Sequence, residues 1–113
     1  MAANDLLYIG HMLDMARKAA QKSKGVTREQ FRTYEDLQII LTHLIQVIGE
    51  AASRVSKPFR EANPQIPWRA IIGMRHKVVH DYMAVDLDRV WDTVSEELPS
   101  LIAELEKLLP PEG

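Results

Sequence analysis

The stretch from Leu37 to Val55 constrains the fold more than any other. Leu37, Ile40, Leu41, Leu44, Val47, Ile48, Ala51, Ala52 and Val55 recur there at three- and four-residue steps. That spacing places them on one side of an α-helix and is incompatible with the two-residue alternation of a half-buried strand. Gly49 lies inside it, where glycine weakens a helix. The step Gly49-Glu50 is therefore a candidate point of close approach by another element.

The rest of the chain repeats the helical period. Leu6, Ile9, Leu13, Ala16 and Ala20 form a stripe that stops near Lys24-Gly25, with glycine suited to the residue after a helix end. Thr27-Arg28-Glu29-Gln30 has the capping-box pattern and predicts the start of a short helix. Pro58, Pro64 and Pro67 divide the next stretch into a turn-rich connection, anchored by Phe59 and Ile66. Pro67 suits a first helical turn, and Trp68, Ile71, Ile72, Val78, Val79 and Tyr82 follow at helical spacing. Asp86 is a good N-cap for a last segment carrying Leu87, Val90, Trp91, Val94, Leu98, Leu101, Ile102, Leu105 and Leu108. Pro99 falls inside that stripe and predicts a kink or break near Glu97-Leu98. No alternating strand pattern or Asn-Gly hairpin signal is present. The expected fold is all-α, an up-and-down bundle of four principal helices with short extra helical turns. It forms a single domain over residues 1–113.

The formal net charge of −2 hides an uneven distribution. Up to Glu35 the cations Arg17, Lys18, Lys22, Lys24, Arg28 and Arg32 outnumber the carboxylates, whereas from Asp86 onward the carboxylates face only Arg89 and Lys107. One end is expected to attract a polyanion and the other to repel it, unless these are simply solvated helix faces. The chain has no cysteine, which excludes disulfides, zinc–thiolate sites and a thiol nucleophile. No apolar run approaches the roughly 20 residues of a membrane span, and no signal-peptide pattern opens the sequence. The expected location is the cytoplasm, without membrane attachment.

Chemistry concentrates in Met74-Arg75-His76-Lys77-Val78-Val79-His80-Asp81-Tyr82. His76 and His80 are four apart, as two metal ligands on one helix face would be. A third ligand is not apparent, and neither a metal nor another cofactor is expected. Arginine offers a fork of donors matched to phosphate oxygens, and histidine exchanges a proton near neutrality. Arg75 and His80 could thus stabilise and cleave an RNA phosphodiester with the 2′-hydroxyl as internal nucleophile. The same pair also suits an ion-paired arginine and a core histidine. Five residues separate them by about 140° on an ideal helix. One phosphate can meet both only if the helix distorts or ends near His80, or if a second copy completes the site across a two-fold axis. His11 and His43 lie far away in sequence and carry no spacing signal. Glu50 reads as a solvated helix residue, Tyr82 as a core edge with a hydrogen-bonded hydroxyl, and Trp68 and Trp91 as core anchors.

Several runs together closely resemble the HepT-like branch of the HEPN superfamily over residues 5 to 109. They are Ile48-Gly49-Glu50-Ala51-Ala52, Ile66-Pro67-Trp68-Arg69, Ile71-Ile72-Gly73-Met74-Arg75, Val79-His80-Asp81-Tyr82 and Val85-Asp86-Leu87-Asp88-Arg89-Val90-Trp91. Arg75, His80 and Tyr82 reproduce that branch's Arg-x4-His-x-Tyr motif, with His76 where asparagine is common. The resemblance implies an all-helical, homodimeric, metal-independent endoribonuclease toxin of a type VII-like toxin–antitoxin pair. Its catalytic residues would be Arg75 and His80 in the dimer cleft, with His76 and Lys77 helping to bind RNA rather than DNA. The implied partner is a minimal nucleotidyltransferase antitoxin that transfers AMP to Tyr82, placing a bulky anion beside Arg75 and His80. The rival reading is a non-catalytic helical module that binds a nucleotidyltransferase, a nucleotide or RNA.

Overall fold

The broad stripe becomes α3 (Glu35–Arg54), the helix against which most others pack. Leu37, Leu41, Leu44, Ile45, Ile48, Ala51 and Ala52 are buried along it, and Val55 closes its end. Ile40 departs from the expected stripe: it is exposed, as is its neighbour Ile39. The structure, a computed structural model, describes residues 4–77, 79–80 and 84–110, with backbone alone at His76, Lys77, Val79, His80 and Ala84.

Helix α1 (Asp5–Ser23) lies along α3 and buries Ile9, Met12, Leu13, Ala16 and Ala19. Leu6 and Ala20, expected on this stripe, are only half-buried; Met12 and Ala19 take the inner positions. The helix ends as expected, with Gly25 at φ +77°, a conformation that side chains disfavour. Its first turn holds a residue that no apolar pattern reveals. Asp5 is 1% exposed and accepts hydrogen bonds from the backbone N–H and the hydroxyl of Ser56, at 2.8 and 2.7 Å. A buried carboxylate needs such donors, and these tie the start of α1 to the connection after α3.

The capping box opens α2 (Arg28–Arg32), with Thr27 and Gln30 bonded reciprocally. Its Phe31 is buried against the Trp91 ring, with centroids 5.0 Å apart. The proline-rich connection folds into α4 (Lys57–Ala62), capped by Ser56. Ile66 is buried and Phe59 half-buried, so both anchor the connection as expected. The indole of Trp68 donates to the Asn63 carbonyl at 3.0 Å.

Helix α5 (Trp68–Lys77) starts directly after Pro67 and crosses α3 at Gly49. The spacing predicts continuation towards Tyr82, but α5 ends at Lys77. Strands β1 (Val79–His80) and β2 (Ala84–Val85) then form a two-residue antiparallel ladder, pairing Val79 with Val85 and His80 with Ala84. A β-branched residue such as Val79 suits a strand, and two residues are too few to leave an alternating pattern in sequence. Apart from this ladder, the described elements are all helical.

Asp86 caps α6 (Leu87–Asp92) by accepting from the Arg89 N–H at 3.0 Å. The break expected from Pro99 takes the form of a π turn, Thr93–Glu97, leading into α7 (Leu98–Leu108). The Leu98 N–H reaches back five residues to the Thr93 carbonyl. This widened turn accommodates a proline that cannot donate to the carbonyl four residues earlier. It also turns the apolar face, so that α6 packs on α2 and α3 while α7 packs on α1.

Part of the uneven charge is compensated across the fold. Arg28 pairs with Asp92 and with Asp88 (3.3 Å), Arg32 with Asp88 (3.3 Å), and Arg17 with Glu106 (2.7 Å). Asp92 and Asp88 hold the Arg28 guanidinium in its charged form, raising its pKa. The three arginines of the first 35 residues are therefore each paired with a carboxylate of the last segment.

Gly49 is where α3 and α5 come closest. A Cβ placed on it would stand 2.9 Å from the Ile71 carbonyl oxygen and 3.2 Å from the Arg75 nitrogen. Both are backbone atoms and cannot swing away. Gly49→Ala should lower the unfolding free energy by about 1–3 kcal/mol in urea titration, whereas Gly10→Ala, where nothing lies within 4 Å, should not destabilise.

Candidate functional site

The contact at Gly49 puts the backbone of Arg75 on α3, with its Cβ only 3.3 Å from the position a Gly49 Cβ would occupy. The next residue on α3 is Glu50, and Ser53 follows one turn later. Arg75 Nη1 donates to Glu50 Oε2 at 2.7 Å and to the Ser53 hydroxyl oxygen at 3.4 Å. Ser53 in turn donates to the Glu50 carbonyl at 2.6 Å. The arginine side chain is 34% exposed, so it is tethered at the surface rather than buried.

Glu50 is thus more than a solvated helix residue. Its second oxygen accepts from Arg54 at 3.3 Å, so one carboxylate bridges two guanidinium groups. The hydrogen bond from Arg75 pulls the Glu50 carboxyl below its ordinary range; desolvation opposes this, and Arg54 adds to it. The signal in sequence was the Gly-Glu step inside the apolar stripe, together with a carboxylate four residues before an arginine.

Around this bridge the surface is concave. An open hollow of about 400 Å³ is lined by His43, Gln46, Val47, Glu50 and Arg75. His43 and Glu50 are seven residues apart, two helical turns, and share this face. The signal for His43 in sequence is this interval from Glu50, not any spacing to Arg75. The hollow adjoins a second between α1 and α3, where Tyr8 and His11 stand edge to face beside Arg54. It also adjoins a third, lined by Ile39, Thr42, Val85 and Leu87.

Of Arg75, His76, Lys77, His80 and Tyr82, only Arg75 has its side chain among those described. His76 and Lys77 supply the last two positions of α5, and His80 the end of β1. The side-chain positions of His76, Lys77 and His80 lie outside the described residues, as does Tyr82 altogether. The helical angle between Arg75 and His80 does not apply, because α5 ends before His80 and the backbone there is extended. This is one of the arrangements that lets both groups approach one phosphate. Among the described residues, no group of three or more His, Cys, Asp or Glu side chains comes together as metal ligands do. No helix among them is long and apolar enough to cross a membrane.

Fold and site together define a small helical domain that presents a carboxylate-tethered arginine at the rim of an open hollow, just before the backbone leaves the helix. Comparison with known sequences gives this class its family. Residues 12–108 match the ribonuclease HepT-like family. A candidate RNase of Caldanaerobacter subterraneus is 31% identical over 90% of this chain and 91% of its own. A provisionally named ribonuclease HepT of Thermococcus cleftensis is 31% identical over 89% of this chain and 92% of its own. A candidate RNase of Methanocaldococcus jannaschii is 34% identical over 77% and 72%. No solved structure matches significantly. The chain belongs to the ribonuclease HepT-like family.

The tether has a measurable signature. A carboxyl whose pKa is depressed by folding adds stability at neutral pH, and that contribution disappears as pH falls through the folded-state value. In a carbon-detected NMR titration, Glu50 should show a midpoint below the ordinary 4.5, returning towards it in Arg75→Ala. A midpoint of 4.5 in both proteins would show that the bridge does not persist in solution.

Proposed function

We propose that this protein is a metal-independent endoribonuclease, the toxin of a type VII-like toxin–antitoxin pair in the cytoplasm. The observation that carries this reading is Arg75. Its guanidinium is fixed by Glu50 and Ser53 at an open hollow, five residues before a histidine whose backbone has left the helix. Arg75 binds the scissile phosphate and stabilises the charge that develops on its oxygens. His80 moves protons: one leaves the 2′-hydroxyl as its oxygen bonds to phosphorus, and one reaches the 5′-oxygen as the P–O5′ bond breaks. The products are a 2′,3′-cyclic phosphate and a 5′-hydroxyl. Neither role calls for a metal. His76 and Lys77 add donors for neighbouring phosphates.

The site is proposed to form in a homodimer. Ile39, 62% exposed, and Val85, 38% exposed, line the hollow that adjoins the arginine's own. An apolar strip at that place suits a second copy, which would bring two Arg75–His80 sets into one cleft. The off-switch is AMP transfer to Tyr82 by a minimal nucleotidyltransferase antitoxin, which adds a bulky anion to the Arg75–Tyr82 segment and closes the cleft to RNA. The other reading, a non-catalytic module that binds the nucleotidyltransferase, nucleotide or RNA, draws on the Arg75–Glu50 bond, which already engages the arginine.

Cleavage separates the two readings. The purified protein should cut single-stranded RNA with EDTA present, and Arg75→Ala or His80→Ala should each lower kcat by about 10²–10⁴. RNA binding without turnover, unchanged in the Arg75→Ala/His80→Ala double variant, would favour the non-catalytic module. Intact mass supplies the second check. Co-expression with the nucleotidyltransferase should add AMP-sized increments that vanish in Tyr82→Phe; increments retained in that variant would place the modification elsewhere.

A further inference from the structure

A second basic site lies away from the Arg75 hollow. Arg17, Arg28, Arg32, Arg54, Arg75 and Arg89 each face a carboxylate. Arg60 and Arg69 are the two arginines without an ion pair among the described residues. Both line the same depression, a hollow of about 940 Å³ between α4 and the start of α5, and Lys57 lines it with them. Its apolar part includes Pro67 and Trp68. Glu61 is the lining carboxylate, 3.9 Å from Lys57, which leaves a net positive rim. The Nε of Arg60 is buried with no hydrogen-bond partner among the described residues. Two arginines without an ion pair among the described residues thus share one open depression, and an anion with several oxygens is the complement to such guanidinium forks.

We propose that the Lys57–Arg60–Arg69 hollow is an exosite for the phosphate backbone of the RNA whose scissile bond lies at Arg75. This rests on the RNA-binding part of the reading above. Arg69 and Arg75 share α5, six residues and about 9 Å apart along its axis, but turned about 120° from one another. A strand bound at Arg75 therefore reaches Arg69 only by passing around α5. The exosite serves long substrates and leaves short ones untouched. Its contacts are to phosphate and carry no base preference.

The test compares two RNA lengths in an Arg60→Glu/Arg69→Glu double variant, read by filter binding over a salt series with His80→Ala as the background. Because no turnover is needed, an absence of cleavage in the parent protein would sink the nuclease reading and leave this measurement intact. For a single strand of roughly 30 nucleotides, affinity should fall on the order of tenfold or more at low salt. The slope of log affinity against log salt should flatten by about one to two. A tetranucleotide should bind as before. The milder Arg60→Gln/Arg69→Gln variant should show the same pattern at smaller size, which separates lost contacts from added repulsion. Equal weakening for both lengths, or none for either, overturns the proposal. So does unchanged RNA binding with loss of nucleotidyltransferase binding, which would assign the hollow to an acidic protein surface.

Discussion

The contact between α3 and α5 at Gly49 sets the geometry on which the rest of this structure depends. With a hydrogen in place of a side chain, the α5 backbone comes within van der Waals range of α3 at Ile71 and Arg75. That approach brings Arg75 to Glu50 and Ser53, and it fixes where the chain stands when α5 ends. The cost in helix propensity at this position is about 1 kcal/mol. A larger residue would push the arginine away from its carboxylate, so a residue without functional groups determines where the functional group sits.

Electrostatics plays two parts in this molecule. Across the fold it is compensating: Arg17 of α1 and Arg28 and Arg32 of α2 meet carboxylates of α6 and α7. These exposed pairs are screened by salt and contribute little, so the apolar core and the buried Asp5–Ser56 cluster fix the architecture. Locally it is discriminating. Glu50 holds two arginines, whereas two others at the α4–α5 hollow have no ion pair among the described residues. The overall charge of the chain says nothing about either place.

Much of this architecture was legible in sequence, because helical periodicity, caps and prolines report on local physics. The α3 stripe, the Thr27 capping box, the Gly25 terminus and the Asp86 cap follow from the residues themselves. Pro99 announced a break, although not that it would be a π turn. Legibility failed where a contact joins distant segments. Asp5 looks like an ordinary first-turn acid until Ser56 folds against it, and charge counting could not foresee that Arg28 would meet Asp92. His43 is the instructive case at the site. It lies far from the Arg75–Tyr82 run in sequence, and only the crossing of α3 by α5 makes it a neighbour. The two-residue ladder was hidden for a different reason, since strands of two residues are too short to show an alternation of their own.

The tether on Arg75 also bears on disorder. A solvent-facing arginine normally samples many rotamers, a freedom worth about 2 kcal/mol. Held through Nη1 by Glu50 and Ser53, this one has given up much of that freedom before any ligand arrives. On the chemistry proposed here, a phosphate meets a fork already aimed, and the ordering is done by folding rather than by binding. The carboxylate beside the arginine, at first sight a competitor for it, then acts as its jig.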